Sequence, residues 1–261
     1  MFDRIAASAM VLLALTFAGS CSNPLGRQYE YEEQLYLGVN GAATLVIDSS
    51  VPALVALHGA PLDPALHARV ERDQIRALFV AAQCPDVRVG QPWIRRGRRF
   101  VQVRIATPDV MRLKSCGILS WATYAFSRDG KLLHFEQELG ASAAGNPGAV
   151  NWDGSELVAF KLHLPSRIVF HNVKRLETGA NGEPDRGNIL TWEQRLSDRR
   201  AGQPLRMEVR MDSESILYRT LWLFAGAFGA AVAVLATLIW ITISRAKRRH
   251  AVAAGRRLPS G

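Results

Sequence analysis

The chain has 261 residues and a formal net charge of +9 at pH 7. The charge is not evenly spread, because residues 219–261 carry seven basic and no acidic side chains. Residues 21–218 then hold 24 basic and 22 acidic groups and are nearly neutral. Nucleic-acid binding domains need a basic surface. The sequence therefore predicts no nucleic-acid partner for the main body of the protein.

An uncharged stretch of 23 residues, 221–243, lies near the carboxyl end. As a helix it would reach about 34 Å, enough to cross a hydrocarbon core of about 30 Å. Trp222 and Trp240 lie near its two ends, where indole rings favour the membrane interface. A buried core helix is the alternative, but such helices seldom run uncharged for this length. We predict a transmembrane helix over residues 219–244.

The charges around this helix predict its orientation. Arg219 stands alone before it, whereas six basic residues follow it. Basic residues concentrate on the cytoplasmic side of a membrane. We therefore predict a single-pass protein of the cell membrane, with a basic cytoplasmic tail at 245–261 and the main domain outside the cytoplasm.

The amino terminus has the pattern of an export signal. Residues 1–4 form a short head with one arginine, residues 5–18 are apolar, and small residues precede Cys21. An apolar run of this length is typical of a signal-peptide core, and bacterial lipoprotein signals end in small residues before the cysteine that receives the lipid. We predict a signal peptide over 1–20 and lipidation of Cys21. Plain cleavage nearby and an uncleaved anchor are the alternatives.

Residues 21–218 form the predicted exported domain, which is long enough for one sizeable core. Asn40-Gly41 and Asp129-Gly130 supply the positive φ that tight hairpins need. The predicted fold class is α+β, a largely antiparallel sheet with two or three helices on one face. The strands are predicted at Tyr29–Leu37, 42–48, 87–95, 99–106, 119–127, 131–139, 156–164, 167–171, 187–196 and 205–211, and the helices at Val51–His58, 64–81 and Val110–Ser115.

Two cysteines besides Cys21 lie in this domain, Cys84 and Cys116. In an oxidising compartment they can form a disulfide. Two buried free thiols are the alternative, since free cysteine is among the most buried residue types. The spacing fits no zinc motif.

The sequence carries few signs of catalysis, and none of the common hydrolase, nucleotide-binding or metalloprotease motifs is present. His163 and His171 lie in neighbouring predicted strands, which with nearby carboxylates is the basis of an alternative, an envelope enzyme. Asn181, Glu183 and Asp185 place oxygens at every second residue, but the later residues of a calcium loop are missing. We predict no catalytic residue, no metal and no cofactor.

Four arginines surround a glycine at the tip between the predicted strands 87–95 and 99–106. One interpretation of this tip is contact with anionic lipid headgroups or with an acidic partner. The other is a solvated tip whose charge discourages edge-to-edge pairing of sheets. The candidate contact residues are Arg95, Arg96, Arg98 and Arg99.

The trailing strand before the membrane helix contains residues 186–192, which read RGNILTW. In this string, and in the order of lipidated cysteine, α+β domain, spanning helix and basic tail, the chain resembles the LppM-like exported domains of bacterial lipoproteins. The resemblance covers most of residues 21–250. It implies an envelope protein whose domain is similar to lipid-binding folds, and it carries over no catalytic residue.

We therefore expect a non-enzymatic, membrane-tethered exported domain that binds a lipid, a glycolipid or an envelope protein partner. Besides the envelope enzyme, the alternative is a structural subunit that assembles within the membrane. Small side chains let helices approach closely there, and the candidates on one helix face are Gly226, Gly229, Ala230 and Ala233.

Overall fold

The computed structural model describes residues 27–143 and 145–255. The strands are β1 (Tyr29–Leu37), β2 (Ala43–Ser50), β3 (Val87–Val89), β4 (Trp93–Arg95), β5 (Arg98–Thr107), β6 (Ala122–Asp129), β7 (Leu132–Leu139), β8 (Leu157–His163), β9 (Ser166–His171), β10 (Ile189–Arg195) and β11 (Leu205–Ser215). The α-helices are α1 (Val51–His58), α2 (Arg72–Phe79), α3 (Leu196–Arg200) and α4 (Ile216–Gly255), and 3₁₀ helices cover Val110–Ser115 and Gly117–Trp121.

The larger of two sheets has seven strands in the order β10-β8-β1-β2-β5-β3, with β4 also paired to β5. Its strands are antiparallel except for β1 and β8, which run parallel. Parallel neighbours need a long crossover connection. Here the connection contains every element from β2 to β7, so the first strand of the domain pairs with one from its second half.

The smaller sheet has four antiparallel strands in the order β6-β7-β11-β9. The predicted α+β class, with largely antiparallel strands, is confirmed. The strands divide over two sheets, however, because the hairpin β6–β7 pairs with the last strand, β11, and not with the strands before it.

Helix α1 begins and ends at the predicted residues. The side chain of Ser50 accepts a hydrogen bond from the backbone N–H of Ala53, and Gly59 closes the helix with a φ of 63°. A left-handed residue after a helix is most easily supplied by glycine. Seven of the eight residues of α1 are buried, and the helix packs on β1, β2 and β5. It is a core element.

Helix α2 is shorter than the predicted 64–81. It covers only Arg72–Phe79. The side chain of Asp63 accepts a hydrogen bond from the N–H of Ala65, but this closes a local turn and no helix follows it directly. The prediction mistook an aspartate turn followed by proline for a helix start, since both use the same side-chain hydrogen bond.

Both sheets and the helices share one hydrophobic core. The inward residues of the larger sheet meet those of the smaller sheet and the apolar side chains of α1 and α2. Fully buried members from these elements include Tyr31, Leu45, Leu54, Ile75, Phe79, Val103, Leu119, Leu139 and Val209.

Strand β11 runs directly into α4. The backbone N–H of Ile216 donates to the carbonyl of Pro165 at 3.0 Å, which fixes the start of α4 beside the turn between β8 and β9. The stretch Ile216–Ile243 is long and apolar enough to cross a membrane, and no other part of the described chain buries it. It is a candidate membrane span, and the helix continues past it to Gly255.

Cys84 and Cys116 lie together in the core, with their Cα atoms 5.4 Å apart and their sulfur atoms adjacent. Disulfides usually join cysteines whose Cα atoms are about 4.4–6.8 Å apart. The pair would tie the segment after α2 to the junction of the two 3₁₀ helices.

Replacing both Cys84 and Cys116 with alanine is expected to lower the free energy of unfolding by about 3–4 kcal/mol, because a cross-link between residues 32 positions apart restricts the unfolded chain. Urea titration of the wild type and the double variant measures the difference. Mass spectrometry with and without reductant tests the bond itself. A mass that reduction leaves unchanged would mean two buried free thiols.

Candidate functional site

A polar network covers the outer face of the larger sheet. Along β1, core residues alternate with outward ones, and the outward side chains meet partners on neighbouring strands. Lys161 of β8 is ion-paired with Glu32 at 2.8 Å. Tyr29 donates a hydrogen bond to Glu193 of β10 at 2.6 Å. Adjacent strands place residues of one face side by side, so this network extends across three strands.

A cleft of about 610 Å³ lies at the β10 edge of this face. The floor of the cleft is formed by Tyr29, Lys161, Thr191 and Glu193, and residues of the loop 173–185 form its wall. Its lining mixes both signs of charge. The cationic side chains are Arg27, Lys161, Lys174 and Arg175, and the carboxylates are Glu177, Glu183, Asp185 and Glu193.

Arg27 fastens the start of the described chain to this cleft. Its guanidinium is ion-paired both with Glu177 of the loop and with Glu193 of β10. Burial, followed by the charge of Glu32, raises the pKa of the Tyr29 phenol, which therefore stays protonated and can donate. The cleft offers donors and acceptors side by side, as a ligand with many hydroxyl or mixed polar groups requires.

Of the residues considered for calcium, Glu183 and Asp185 line the cleft. Asn181 forms an isolated bridge with Lys174, and a carboxylate oxygen of Asp185 accepts from the Thr191 hydroxyl at 3.3 Å. Within 27–143 and 145–255, no group of three or more His, Cys, Asp or Glu side chains could hold a metal ion.

His163 and His171 lie in different sheets. His163 stacks on Tyr36, with ring centroids 4.0 Å apart, and contacts the side-chain oxygen of Gln34 at 3.3 Å. His171 pairs with Val209 on β11. Burial lowers the pKa of both imidazoles. The structure thus gives the two histidines separate surroundings and does not assemble them into the shared pocket that the enzyme alternative requires.

Three of the four arginines at the β4–β5 tip bind within the domain. Arg95 donates to the carbonyl of Tyr29 at 2.8 Å, and Arg98 donates to Glu30 at 2.6 Å. Arg99 donates to the carbonyl of Leu66 at 2.9 Å. These three side chains therefore fasten the tip to the body of the domain.

Arg96 is the fourth arginine of the tip. It is exposed and makes no hydrogen bond or ion pair with the described residues. Contact between the tip and an anionic partner stays a prediction, and it depends chiefly on this side chain. Cys21 lies outside the described residues, so its lipidation also stays a prediction.

Sequence reasoning missed a buried polar group between the two sheets. Glu33 on β1 is 2% exposed. It accepts a hydrogen bond from Tyr31 at 2.5 Å and one from Gln137 of the smaller sheet at 3.4 Å. Burial raises the pKa of Glu33 to about 7, although both hydrogen bonds favour the ionised form. The only sequence signal was a glutamate on the same side of β1 as the core residues Tyr31 and Leu35.

Aromatic and basic side chains flank this group. His58 lies 5.3 Å from Tyr31 and 4.4 Å from Trp121, measured between ring centroids. Burial lowers the pKa of His58 to about 4, so its imidazole is neutral at pH 7. Arg199, fully buried, lies over the Trp121 ring and donates to the carbonyl of Gly140. The largely apolar core therefore also contains a small group of polar side chains.

Comparisons with known proteins give a weak similarity to a solved structure. No protein family and no curated protein matches the chain. Among solved structures, the chain is similar to the folded domain of the Mycobacterium tuberculosis LppM protein, determined by NMR, with 12% identical residues and a TM-score of 0.37. The match covers 74% of this chain and 95% of that one. A similarity of this size does not establish family membership.

Glu33→Gln is expected to remove a pH dependence of stability. Between pH 4.5 and about 7 the folded protein keeps the Glu33 proton, whereas the unfolded chain loses it. The contribution of Glu33 to the free energy of unfolding therefore falls as pH rises through this range, by about 3 kcal/mol, and is constant above it. His58, whose pKa is lowered to about 4, contributes with the opposite sign in both proteins, so the difference between them isolates Glu33. Denaturant titrations of the wild type and the variant at pH 5 and pH 8 measure this. Equal pH dependence in both proteins would contradict the assignment.

Proposed function

We propose that this protein is an exported, non-enzymatic binding domain of the LppM-like type, held at the outer surface of the cell membrane. Helix α4 would cross the membrane, and an acylated Cys21 would anchor the other end. The apolar stretch Ile216–Ile243, which no other described residue covers, supports the spanning helix. The six basic and no acidic residues after residue 244 support a cytoplasmic tail.

The cleft at the β10 edge is the observation that carries the binding function. We propose that it binds the polar headgroup of a glycolipid or a similar polar envelope molecule. Neighbouring carboxylates and cations can pair with sugar hydroxyls, which both donate and accept hydrogen bonds. An acyl chain would fit this lining poorly, because it would strip water from charged groups without replacing their hydrogen bonds. The headgroup is therefore the better match.

The position of the cleft also suits a ligand of the membrane surface. Arg27, which closes one side of it, is six residues from the proposed lipid anchor at Cys21. A short tether keeps the cleft close to the outer leaflet and raises the local concentration of lipids that it can meet.

Filling the cleft should weaken binding. Thr191→Trp places a large ring on the half-buried floor and is expected to lower the amount of co-purifying glycolipid about tenfold, equivalent to about 1.4 kcal/mol. Native mass spectrometry of the full chain in mild detergent measures the bound fraction. Gln102→Trp is the matched control, since residue 102 is exposed on the same face but lies on β5.

Two outcomes would argue against this assignment. Equal loss in Thr191→Trp and Gln102→Trp would show that the cleft is not the binding surface. Absence of any co-purifying lipid in the wild type would favour the envelope protein partner, which affinity purification with the same two variants would then map.

Assembly through the membrane helix is a second function with its own support. A methyl group added at Gly226 or Gly229 would meet no atom of the described residues within 4 Å apart from the backbone of its own helix, so this face is open to another helix. Small residues at such spacing allow close helix packing in a membrane.

Gly226→Leu with Gly229→Leu is expected to shift the full chain in detergent from oligomer to monomer. Light scattering of the detergent complex measures the mass. The same changes at Ala227 and Ala231, which lie four residues apart on a different face of the helix, serve as the control. An unchanged mass in the glycine variant would rule out this face.

A further inference from the structure

The two ends of the domain that connect to the membrane lie at opposite ends of the β1–β8 pair. Tyr29, the first residue of β1, pairs with Leu157, and Tyr36 near its last residue pairs with His163. Helix α4 starts beside Pro165, two residues after the β8 end. Seven residue steps along a strand measure about 23 Å. The start of β1 is therefore about 23 Å from the end where α4 attaches.

The link from Cys21 to the domain is short compared with this distance. Arg27 is fixed to the body by Glu177 and Glu193, so six residues, 21–26, connect it to the proposed lipid. Six residues reach about 20 Å when fully extended, and about 13 Å as a relaxed coil. In a domain standing upright on α4, the start of β1 would lie about 23 Å from the bilayer. The linker from a lipidated Cys21 is too short to span that distance.

We propose that the domain lies lengthwise on the outer leaflet, held at both ends, with the β4–β5 tip against anionic phospholipid headgroups. This inference rests on the proposed double anchoring. Two fixed ends keep the long axis of the β1–β8 pair from standing upright on the membrane, because the start of β1 cannot move further from the bilayer than the linker reaches.

The β4–β5 tip would approach the bilayer because it is bound to residues at the start of β1. Arg95 donates to the carbonyl of Tyr29, and Arg98 is ion-paired with Glu30 at 2.6 Å. Whatever draws Tyr29 towards the bilayer therefore draws the tip with it. Arg95 and Arg98 therefore hold the tip at the start of β1 and are not themselves the residues that contact the headgroups.

The exposed part of the tip suits a membrane interface. Ile94 is 57% exposed, and Arg96 beside it is exposed and unpaired among the described residues. An exposed apolar side chain next to a free guanidinium matches the boundary between headgroups and acyl chains. Arg96 and Arg98 also line a cleft of about 410 Å³ with Pro64, Leu66 and Val150, which offers room for a headgroup.

Photo-crosslinking in the full chain tests the arrangement. Benzoylphenylalanine replaces Ile94, and the full chain is irradiated in its own membranes and, separately, after reconstitution into nanodiscs containing phosphatidylglycerol. Mass spectrometry of the purified protein detects the lipid adducts. The same residue at Arg128 is the control. The β6–β7 tip that holds it lies beside the start of α4, because the N–H of Ser213 donates to Lys131.

Two further variants separate the tether from the charge. A 20-residue Gly-Ser spacer between Asn23 and Pro24 would give a reach of about 25 Å as a coil even with the original residues left aside. Several-fold fewer adducts at position 94 are expected with the spacer, and also with Arg96→Glu, while adducts at position 128 stay unchanged.

The outcomes distinguish this inference from the function on which it rests. Two results with an acylated Cys21 would overturn the lengthwise arrangement alone and leave a solvated tip. One is adducts at position 128 with none at position 94, and the other is adducts at position 94 that neither the spacer nor Arg96→Glu reduces. An unacylated mature chain would overturn the double anchoring and the arrangement together.

Discussion

The parallel pairing of β1 with β8 is the constraint on which the rest of the molecule depends. It joins the first strand to the second half of the chain and brings Tyr29, Lys161 and Glu193 onto one face, where they form the floor of the polar cleft. It also places the start of β1 and the start of α4 at opposite ends of the domain. The position of the cleft and the proposed membrane arrangement therefore both depend on the same pair of strands.

Local sequence signals predicted much of the fold. The Asn-Gly and Asp-Gly steps gave both hairpins, and Ser50 and Gly59 marked the two ends of α1. These features depend on a few neighbouring residues, whose hydrogen bonds and φ angles are decided locally. The boundary of α2 was wrong because the turn at Asp63 uses the same local hydrogen bond as a helix cap.

The features that could not be predicted from the sequence depend on contacts between distant parts of the chain. The β1–β8 register joins residues about 130 positions apart, and no periodicity in either strand encodes its partner. For the same reason the division into two sheets, the cleft and the burial of Glu33 were missed. The arginine-rich tip was visible in the sequence, but only the structure assigns Arg95, Arg98 and Arg99 to partners within the domain.

Membrane anchoring with the domain outside is the central claim, and the side on which the tail lies tests it most directly. Alkaline phosphatase or green fluorescent protein fused after Gly261 reports this in intact cells, since the phosphatase becomes active only outside the cytoplasm and the fluorescent protein folds inside it. The account predicts a fluorescent and phosphatase-negative carboxyl terminus in the membrane fraction. An active phosphatase, or a fusion that leaves the membrane without detergent, would contradict it.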